Sequence, residues 1–301
     1  MRLLMDCGNT RLKWRLVEGE QMQEGSLAWD GFAAQDLLED WQEAVCALGA
    51  PQTHPRGIWC SVAPPDRTAS ARAAIEAFCA TSGARAFRVT AGLTLSIAQH
   101  RVTLRNAYEQ PESMGQDRWA AALGLLWCLF GADPRAPGAQ HLLAPGRFSV
   151  AVVSAGTATV VDQLIGERTA QGWSCHLQLG HIQPGLRSSA KALSLAAPAL
   201  GPYLLQALES AQQPLASSGL QPSSAQAVAQ GLRASQLGGL LWTHQAAPIE
   251  AVWLHGGDAA WWADALGASP WRGAWPVYEA ALIFAGLEAA WSIESAQGAP
   301  L

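Results

Sequence analysis

Residues 2–17 read RLLMDCGNTRLKWRLV. A short apolar run, 2–5, ends at Asp6-Cys7-Gly8-Asn9-Thr10, and in 11–17 Leu12, Trp14 and Leu16 alternate with Lys13, Arg15 and Val17. Alternation of period two marks a strand with one buried face. Two strands joined by a Gly-Asn turn make a hairpin. Residues 148–164 repeat the layout: the β-prone FSVAVV, the small polar turn Ser154-Ala155-Gly156-Thr157, and a second β-prone run over 158–164. The repetition predicts an internal duplication with two similar halves around a cleft.

Outward from the first hairpin the pattern predicts helices over 33–48, 67–81 and 119–130 and strands over 57–62 and 86–90. Around the second it predicts a strand or loop over 180–186, helices over 188–194, 203–210, 225–241 and 277–291, and a strand over 250–254. Strands alternating with helices indicate the α/β class. The Pro/Gly/Ala-rich stretch 132–147 reads as a loop or linker between an N-terminal domain, 1–131, and a C-terminal domain, 148–301. The Gln/Ser/Pro-rich stretch 211–224 reads as another loop.

Half of the 301 residues are hydrophobic and only 14% are charged, the balance of a compact globular chain. A formal net charge of −5 gives no electrostatic case for binding nucleic acid or an anionic membrane. The six cysteines, Cys7, Cys46, Cys60, Cys79, Cys128 and Cys175, show no zinc or redox spacing and suit a reducing compartment. The apolar start is too short for a signal peptide, and the apolar stretch 120–130 is too short to span a bilayer. A soluble, cytoplasmic protein is expected. The fourteen tryptophans read as core and interface filling. The histidines carry no metal-ligand spacing, and P-loop, GxGxxG and GxSxG motifs are absent.

Four segments are candidates for chemistry. Asp6-x-Gly8-Asn9-Thr10-x-x-Lys13 offers backbone N–H groups at close range, a hydroxyl and a cation for phosphate, and a strand-end acid for magnesium. An ordinary hairpin turn is the alternative. Ser154-x-Gly156-Thr157 recurs at the equivalent place in the second half. Tyr108-x-x-Pro111-x-x-x-Gly115-x-Asp117-Arg118 opens a helix. There Asp117 is either a first-turn acid favoured by the helix dipole or a carboxylate that accepts a proton from a substrate hydroxyl. His255-Gly256-Gly257-Asp258 follows a strand, where a glycine pair lets a ligand approach the backbone.

Together these segments resemble one family. DCGNTRLK at 6–13 is similar to the DxGNTxxK phosphate motif of type III pantothenate kinases, the Bvg accessory factor family. YEQPESMGQDR at 108–118 matches that family's YxxPxxxGxDR at every fixed position. SAGTATVVD at 154–162 resembles DxGTAxTxD, GHIQPG at 180–185 resembles GGxIxPG, SSAQAVAQG at 223–231 resembles NTxxAIxxG, and HGGDA at 255–259 resembles TGGDA. These segments occur in the family's order and span nearly the whole chain.

The resemblance implies two ribonuclease H-like α/β domains of the acetate-kinase/hexokinase/actin superfold. It implies ATP-dependent phosphorylation of pantothenate at its 4′-hydroxyl, the first step of coenzyme A biosynthesis. Asp117 would be the catalytic proton acceptor, with Tyr108, Gly115, Gln116, Arg118 and Ser224 at the pantothenate site. Asp6, Cys7, Gly8, Asn9, Thr10, Arg11, Leu12 and Lys13, with Gly156 and Thr157, would cradle ATP. Asp6 would lie near magnesium, directly or through water. The family uses a monovalent cation, potassium or ammonium, and forms a homodimer.

The chain departs from the pattern in its second half. Ser154 stands where the family's cation-ligating aspartate is, Ser223 and Ser224 replace Asn and Thr, and His181 and His255 replace Gly and Thr. A hydroxyl is a neutral and poorer ligand for a hard cation. Some members of the family are described as accessory factors in virulence-gene transcription. A weakly catalytic ligand-binding or accessory protein on the same scaffold is therefore the alternative reading.

Overall fold

The computed structural model describes all residues except 50–54, 80–82, 132–138, 205–207, 209–222, 268, 270–274, 276, 280 and 298–301. Its first sheet is built from β1 (Arg2–Cys7), β2 (Arg11–Glu18), β3 (Gln21–Ala28), β4 (Arg56–Ser61) and β5 (Ala84–Ala86), in the order β3-β2-β1-β4-β5. Helix α1 (Ala34–Ala47) joins β3 to β4, and α2 (Pro65–Phe78) joins β4 to β5. The β1/β2 and β2/β3 pairs are antiparallel, and β1/β4 and β4/β5 are parallel. The hairpin expected at residues 2–17 is thus the nucleus of the sheet. Leu12, Trp14 and Leu16 alternate onto a core with Leu3, Met5, Leu37, Trp41 and Ile75.

The second sheet holds β6 (Gly92–Ile97), β7 (His100–Asn106), β8 (Arg147–Ala155), β9 (Ala158–Thr169), β10 (Gly172–Pro184), β11 (Ala251–His255) and β12 (Val277–Glu279). Its order is β12-β11-β8-β9-β10-β7-β6. Five of these strands, taken as β10-β9-β8-β11-β12, repeat the first sheet's order. They also repeat its sense: β8/β9 and β9/β10 antiparallel, β8/β11 and β11/β12 parallel. Two similar ribonuclease H-like α/β folds follow from that repetition. Helices α4 (Leu186–Ala196), α5 (Ser224–Ala246) and α6 (Ala259–Gly267) accompany the second sheet. Its core gathers Val153, Leu186, Leu240, Leu254 and Trp262.

The chain divides into two compact units: 1–97 with 108–131 and 282–301, and 98–107 with 132–281. This differs from a single cut at 132–147. The physical reason lies in α3 (Gln116–Phe130) and α7 (Leu282–Gln297), both in the first unit. α3 is apolar almost all round, and its small residues let α7 approach backbone to backbone. A Cβ on Gly124 would fall on the Leu282 carbonyl oxygen, and one on Gly286 on the Ala120 carbonyl oxygen. The final helix is therefore part of the first core.

Several local expectations change. The strand expected over 86–90 is the shorter β5, Ala84–Ala86. The helix expected over 277–291 is β12 followed, after a break, by α7. Within 132–147, residues 139–143 form a 3-10 turn and β8 already starts at Arg147, while 132–138 lie outside the described residues. Most of the helix expected over 203–210 and nearly all of the loop over 211–224 also lie outside them. Many tryptophans do fill cores: Trp41, Trp119, Trp253 and Trp262 are fully buried. Among the described residues, no helix is long and apolar enough to cross a membrane.

Candidate active site

In the first unit the chemistry gathers at the carboxyl end of β1. Asp6 pairs across the hairpin with Lys13 and, on its other side, with Cys60 of β4. Cys60 donates its Sγ–H to Asp6 Oδ1 at 3.8 Å. The Asp6 carboxyl is buried, and burial pushes its pKa up to about 6; Lys13 pulls it down, the charge of Asp117 pushes it up, and the Cys60 contact lowers it. A desolvated carboxylate with a second acid in electrostatic range is disfavoured as an anion until a cation arrives. Burial also pushes the Cys7 and Cys60 thiols far up, so neither is a ready nucleophile.

Asp117 sits in the first turn of α3, whose N-cap is Gly115. Its Oδ1 accepts the Arg118 N–H at 2.8 Å. A Cβ on Gly115 would stand 2.6 Å from Asp117 Oδ1 and would push that carboxylate from its place. Arg118 is buried, donates through Nη1 to the Tyr108 hydroxyl at 2.6 Å, and lies 5.4 Å over the Tyr108 ring. A buried guanidinium fixed in this way is a ready partner for a carboxylate. Gln116, expected among the substrate contacts, uses its Oε1 to accept the Ser61 N–H at 2.8 Å, tying the start of α3 to the end of β4. Its carbonyl is thus engaged within the protein.

The first turn itself is divided between core and ligand face. Cys7 and Leu12 are fully buried in the core. Arg11 turns to Ser26, donating from Nη2 to its Oγ at 2.9 Å. Asn9 and Thr10 are exposed. Two residues that the motif did not suggest hold the turn. Trp29 donates its indole N–H to the Gly8 carbonyl at 2.7 Å and its backbone N–H to the Thr10 carbonyl at 3.3 Å. Arg67 donates from Nη1 to the Asn9 carbonyl at 2.9 Å. Nothing in the local pattern at 6–13 signals either partner, since both come from elements brought in by the fold.

In the second unit, Gly156 and Thr157 form the equivalent turn between β8 and β9. The Thr157 carbonyl accepts the Gly185 N–H at 3.0 Å and the Ser188 hydroxyl at 2.7 Å. Gly185 must lack a side chain, because a Cβ there would fall on the Gly156 carbonyl oxygen. Ser154 pairs with His255 of β11, and Ser154 Oγ and His255 Nε2 share a hydrogen bond of 2.5 Å. His255 is buried. Asp258, half-buried beyond it, has its pKa raised by burial and lowered by Arg187. Ser224 is the exposed first residue of α5, and the hydroxyl of its N-cap, Ser223, accepts the Gln226 N–H at 3.2 Å. That helix is anchored by Gln236, which is fully buried. Gln236 accepts from Thr159 Oγ1 at 2.6 Å and donates to the Pro184 carbonyl at 2.9 Å.

A family model described as type III pantothenate kinase matches residues 2–239. The "Type III pantothenate kinase" of Azoarcus sp. (strain BH72) is 32% identical over 201 residues, 64% of this chain and 68% of that protein. The protein of the same name from Methylobacillus flagellatus is 31% identical over 204 residues, 66% and 63% of the two chains. That from Burkholderia vietnamiensis (strain G4 / LMG 22486) is 33% identical over 179 residues, 56% and 61%. The matched stretches thus span about two thirds or less of these curated relatives. A solved structure, the activator of the 2-hydroxyisocaproyl-CoA dehydratase from Clostridium difficile with bound ADPNP, is 9% identical with a TM-score of 0.48, covering 99% of this chain and 97% of that one.

Proposed function

The chain belongs to the type III pantothenate kinase family, and from that premise we propose that it transfers the γ-phosphoryl group of ATP to the 4′-hydroxyl of pantothenate, as an ATP:pantothenate 4′-phosphotransferase (EC 2.7.1.33). The observation that carries the reading is the meeting, within one unit, of Asp117 at the start of α3 with Asp6 beside the first turn, close enough for one charge to shift the other's pKa. The substrate hydroxyl oxygen attacks the γ-phosphorus while its proton passes to the Asp117 carboxylate. The bond from the γ-phosphorus to the β–γ bridging oxygen breaks, and ADP leaves. Such a transfer asks chiefly for in-line placement and charge neutralisation. In this reading Arg118 and Tyr108 hold pantothenate, with Gly115 at its edge, and the backbone of 6–13, with Lys13, holds the nucleotide's phosphates.

The residues fit magnesium. Asp6 is a buried carboxyl that lacks a full counter-charge, and a divalent ion held largely by water and phosphate needs only one or two protein carboxylates. Magnesium, when bound, supplies neutralisation of the phosphate charge. The residues at the end of β8 do not fit a monovalent cation. Ser154 brings a neutral hydroxyl, and the His255 ring nitrogen already occupies its hydrogen-bonding reach. Among the described residues, no group of three or more His, Cys, Asp or Glu is placed to hold a metal ion.

The same reading places the protein in the cytoplasm, which its six free thiols support. It also makes the protein a homodimer, in which a second copy would cover the exposed Ile182, Leu195 and Trp242. The test is ATP-dependent phosphorylation of pantothenate by purified protein with magnesium, beside Asp117→Asn. The expected result is turnover that falls by about 10²–10⁴-fold in the variant. Pantothenate that binds without turnover would overturn the enzyme and leave an accessory, ligand-binding role.

A further inference from the structure

We infer that Trp29 and Arg67 are positioning residues that aim the amides of the first turn at the nucleotide's phosphates; the inference rests on the proposed kinase reading of that turn. Four successive carbonyls, of Cys7, Gly8, Asn9 and Thr10, are each taken by a donor from outside the β1–β2 hairpin. Val62 N–H takes Cys7, the Trp29 indole takes Gly8, the Arg67 guanidinium takes Asn9, and Trp29 N–H takes Thr10. In a trans peptide the carbonyl and the following N–H point in opposite directions across one plane. Drawing the Gly8 and Asn9 carbonyls toward Trp29 and Arg67 therefore turns the Asn9 and Thr10 N–H groups the other way. Those two residues are exposed, which leaves this side of the turn within reach of an anion. Consecutive amides oriented alike form an anion-binding concavity.

The two clamping side chains also support each other. Trp29 is buried, and the Arg67 guanidinium stands 5.8 Å over its ring. Trp29 directly follows β3, and Arg67 is in the first turn of α2, so one residue from each side of the sheet's central strands grips the turn. The second unit repeats the device with different chemistry. Gly185, which directly follows β10, donates its N–H to the Thr157 carbonyl as Trp29 does to Thr10, and Ser188 of α4 adds a side-chain donor. A contact that recurs at the equivalent place in both halves, built from different residues, belongs to the working of the turn.

The experiment measures magnesium-ADP affinity by calorimetry, and the KM values for ATP and pantothenate, on the full chain and on Trp29→Phe, Arg67→Met and Arg67→Lys. Trp29→Phe keeps an aromatic six-membered ring and removes the pyrrole ring with its N–H, so urea unfolding of each variant is measured beside its affinity. Trp29→Phe is expected to weaken ADP binding and raise the ATP KM by about fivefold, the loss of one hydrogen bond. The pantothenate KM should stay unchanged. Arg67→Met should behave alike, and Arg67→Lys should recover part of the loss, because an ammonium still donates to the Asn9 carbonyl. Unchanged ADP affinity in both Trp29→Phe and Arg67→Met would overturn the clamp. So would a loss confined to Arg67→Met, which would mean that the guanidinium touches phosphate directly. Wild-type protein that binds no nucleotide at all would instead overturn the proposed function, and the clamp with it.

Discussion

The ends of β1 and β8 occupy the same place in two copies of one strand order, and they carry different chemistry. At the first, Asp6 faces Lys13 across the hairpin and Cys60 on the parallel neighbour. At the second, Ser154 faces Val160 and His255 at the same two stations. Each end is followed by a glycine turn whose carbonyls are gripped by the residue just after the third strand, Trp29 in one copy and Gly185 in the other. The duplication has kept the backbone device and divided the charge. One turn has a buried carboxylate and a lysine; the other has a hydroxyl–imidazole pair and a valine. A fold fixes where a site can be, and the side chains at that place decide what it does.

The largest effect expected from breaking this asymmetry is on turnover. Asp6→Asn should lower kcat by about 10²–10³-fold, the scale of losing several kcal/mol of charge stabilisation around a metal-bound phosphoryl group. Ser154→Ala, at the equivalent position, should leave kcat within about tenfold, the loss of a neutral hydrogen bond. Steady-state assays at saturating magnesium and ATP compare the two directly. Equal losses would mean that charge is not what separates the two ends.

The next effect is on stability, with opposite signs in the two halves. In the second, Gln236→Met would strand the buried Thr159 hydroxyl, while the Pro184 carbonyl keeps the Ser189 hydroxyl as donor. That should cost about 1–3 kcal/mol in urea unfolding. Adding Thr159→Val should cost less than the sum of the two single changes, because one stranded group is then gone. In the first half, removing the Asp6 charge should stabilise the metal-free protein. Its pKa rises on folding from 3.8 to about 6. The native state therefore holds a proton that the unfolded chain has released. Stability is fully present below the unfolded value and is lost as pH rises through the folded one. With a chelator present, Asp6→Asn should gain over wild type between pH 4 and about 6.5, and then level at about 2–3 kcal/mol. Melting curves across that range would show a flat difference if the carboxyl were already comfortable in its site.

The hairpins were legible because their chemistry is local. Leu12, Trp14 and Leu16 announce a buried face, and the Gly/Asn and Gly/Thr turns announce where it reverses. The helix start at Gly115–Arg118 was legible for the same reason, since those residues act on one another locally, while the role of Asp117 entered only with the family resemblance. Other features were decided by distant contacts. α7 joins the first core through Gly124 and Gly286, a close approach that no periodicity near residue 290 reveals. β3 was missed because its residues are mostly exposed, so it lacks the apolar alternation that marked β2. Trp29 and Arg67 read as a buried aromatic and a helix cation until the fold sets them against the turn's carbonyls. Leu12 and Gln116 sit inside motifs that name a ligand, and the fold puts one side chain in the core and ties the other's carbonyl to Ser61.

The smallest expected effect sharpens the comparison most, because it is an expected absence of response. A monovalent cation at the end of β8 would need oxygen ligands with enough negative potential to replace its hydration shell. Ser154 offers a single neutral oxygen, and His255 Nε2 is hydrogen-bonded to it. Replacing choline chloride by potassium or ammonium chloride at constant ionic strength should therefore change neither kcat nor magnesium-ADP affinity by more than about twofold, a difference near RT in free energy. The double variant Ser154→Asp/His255→Thr removes the imidazole and installs a carboxylate at the strand end, as β1 has in Asp6. It should acquire a potassium response of about tenfold or more in ADP affinity, one strong charge–charge contact in a partly buried site. A wild-type response of that size would show that the hydroxyl–imidazole pair still ligates the ion. The two strand ends would then differ in residue type and not in the charge they gather.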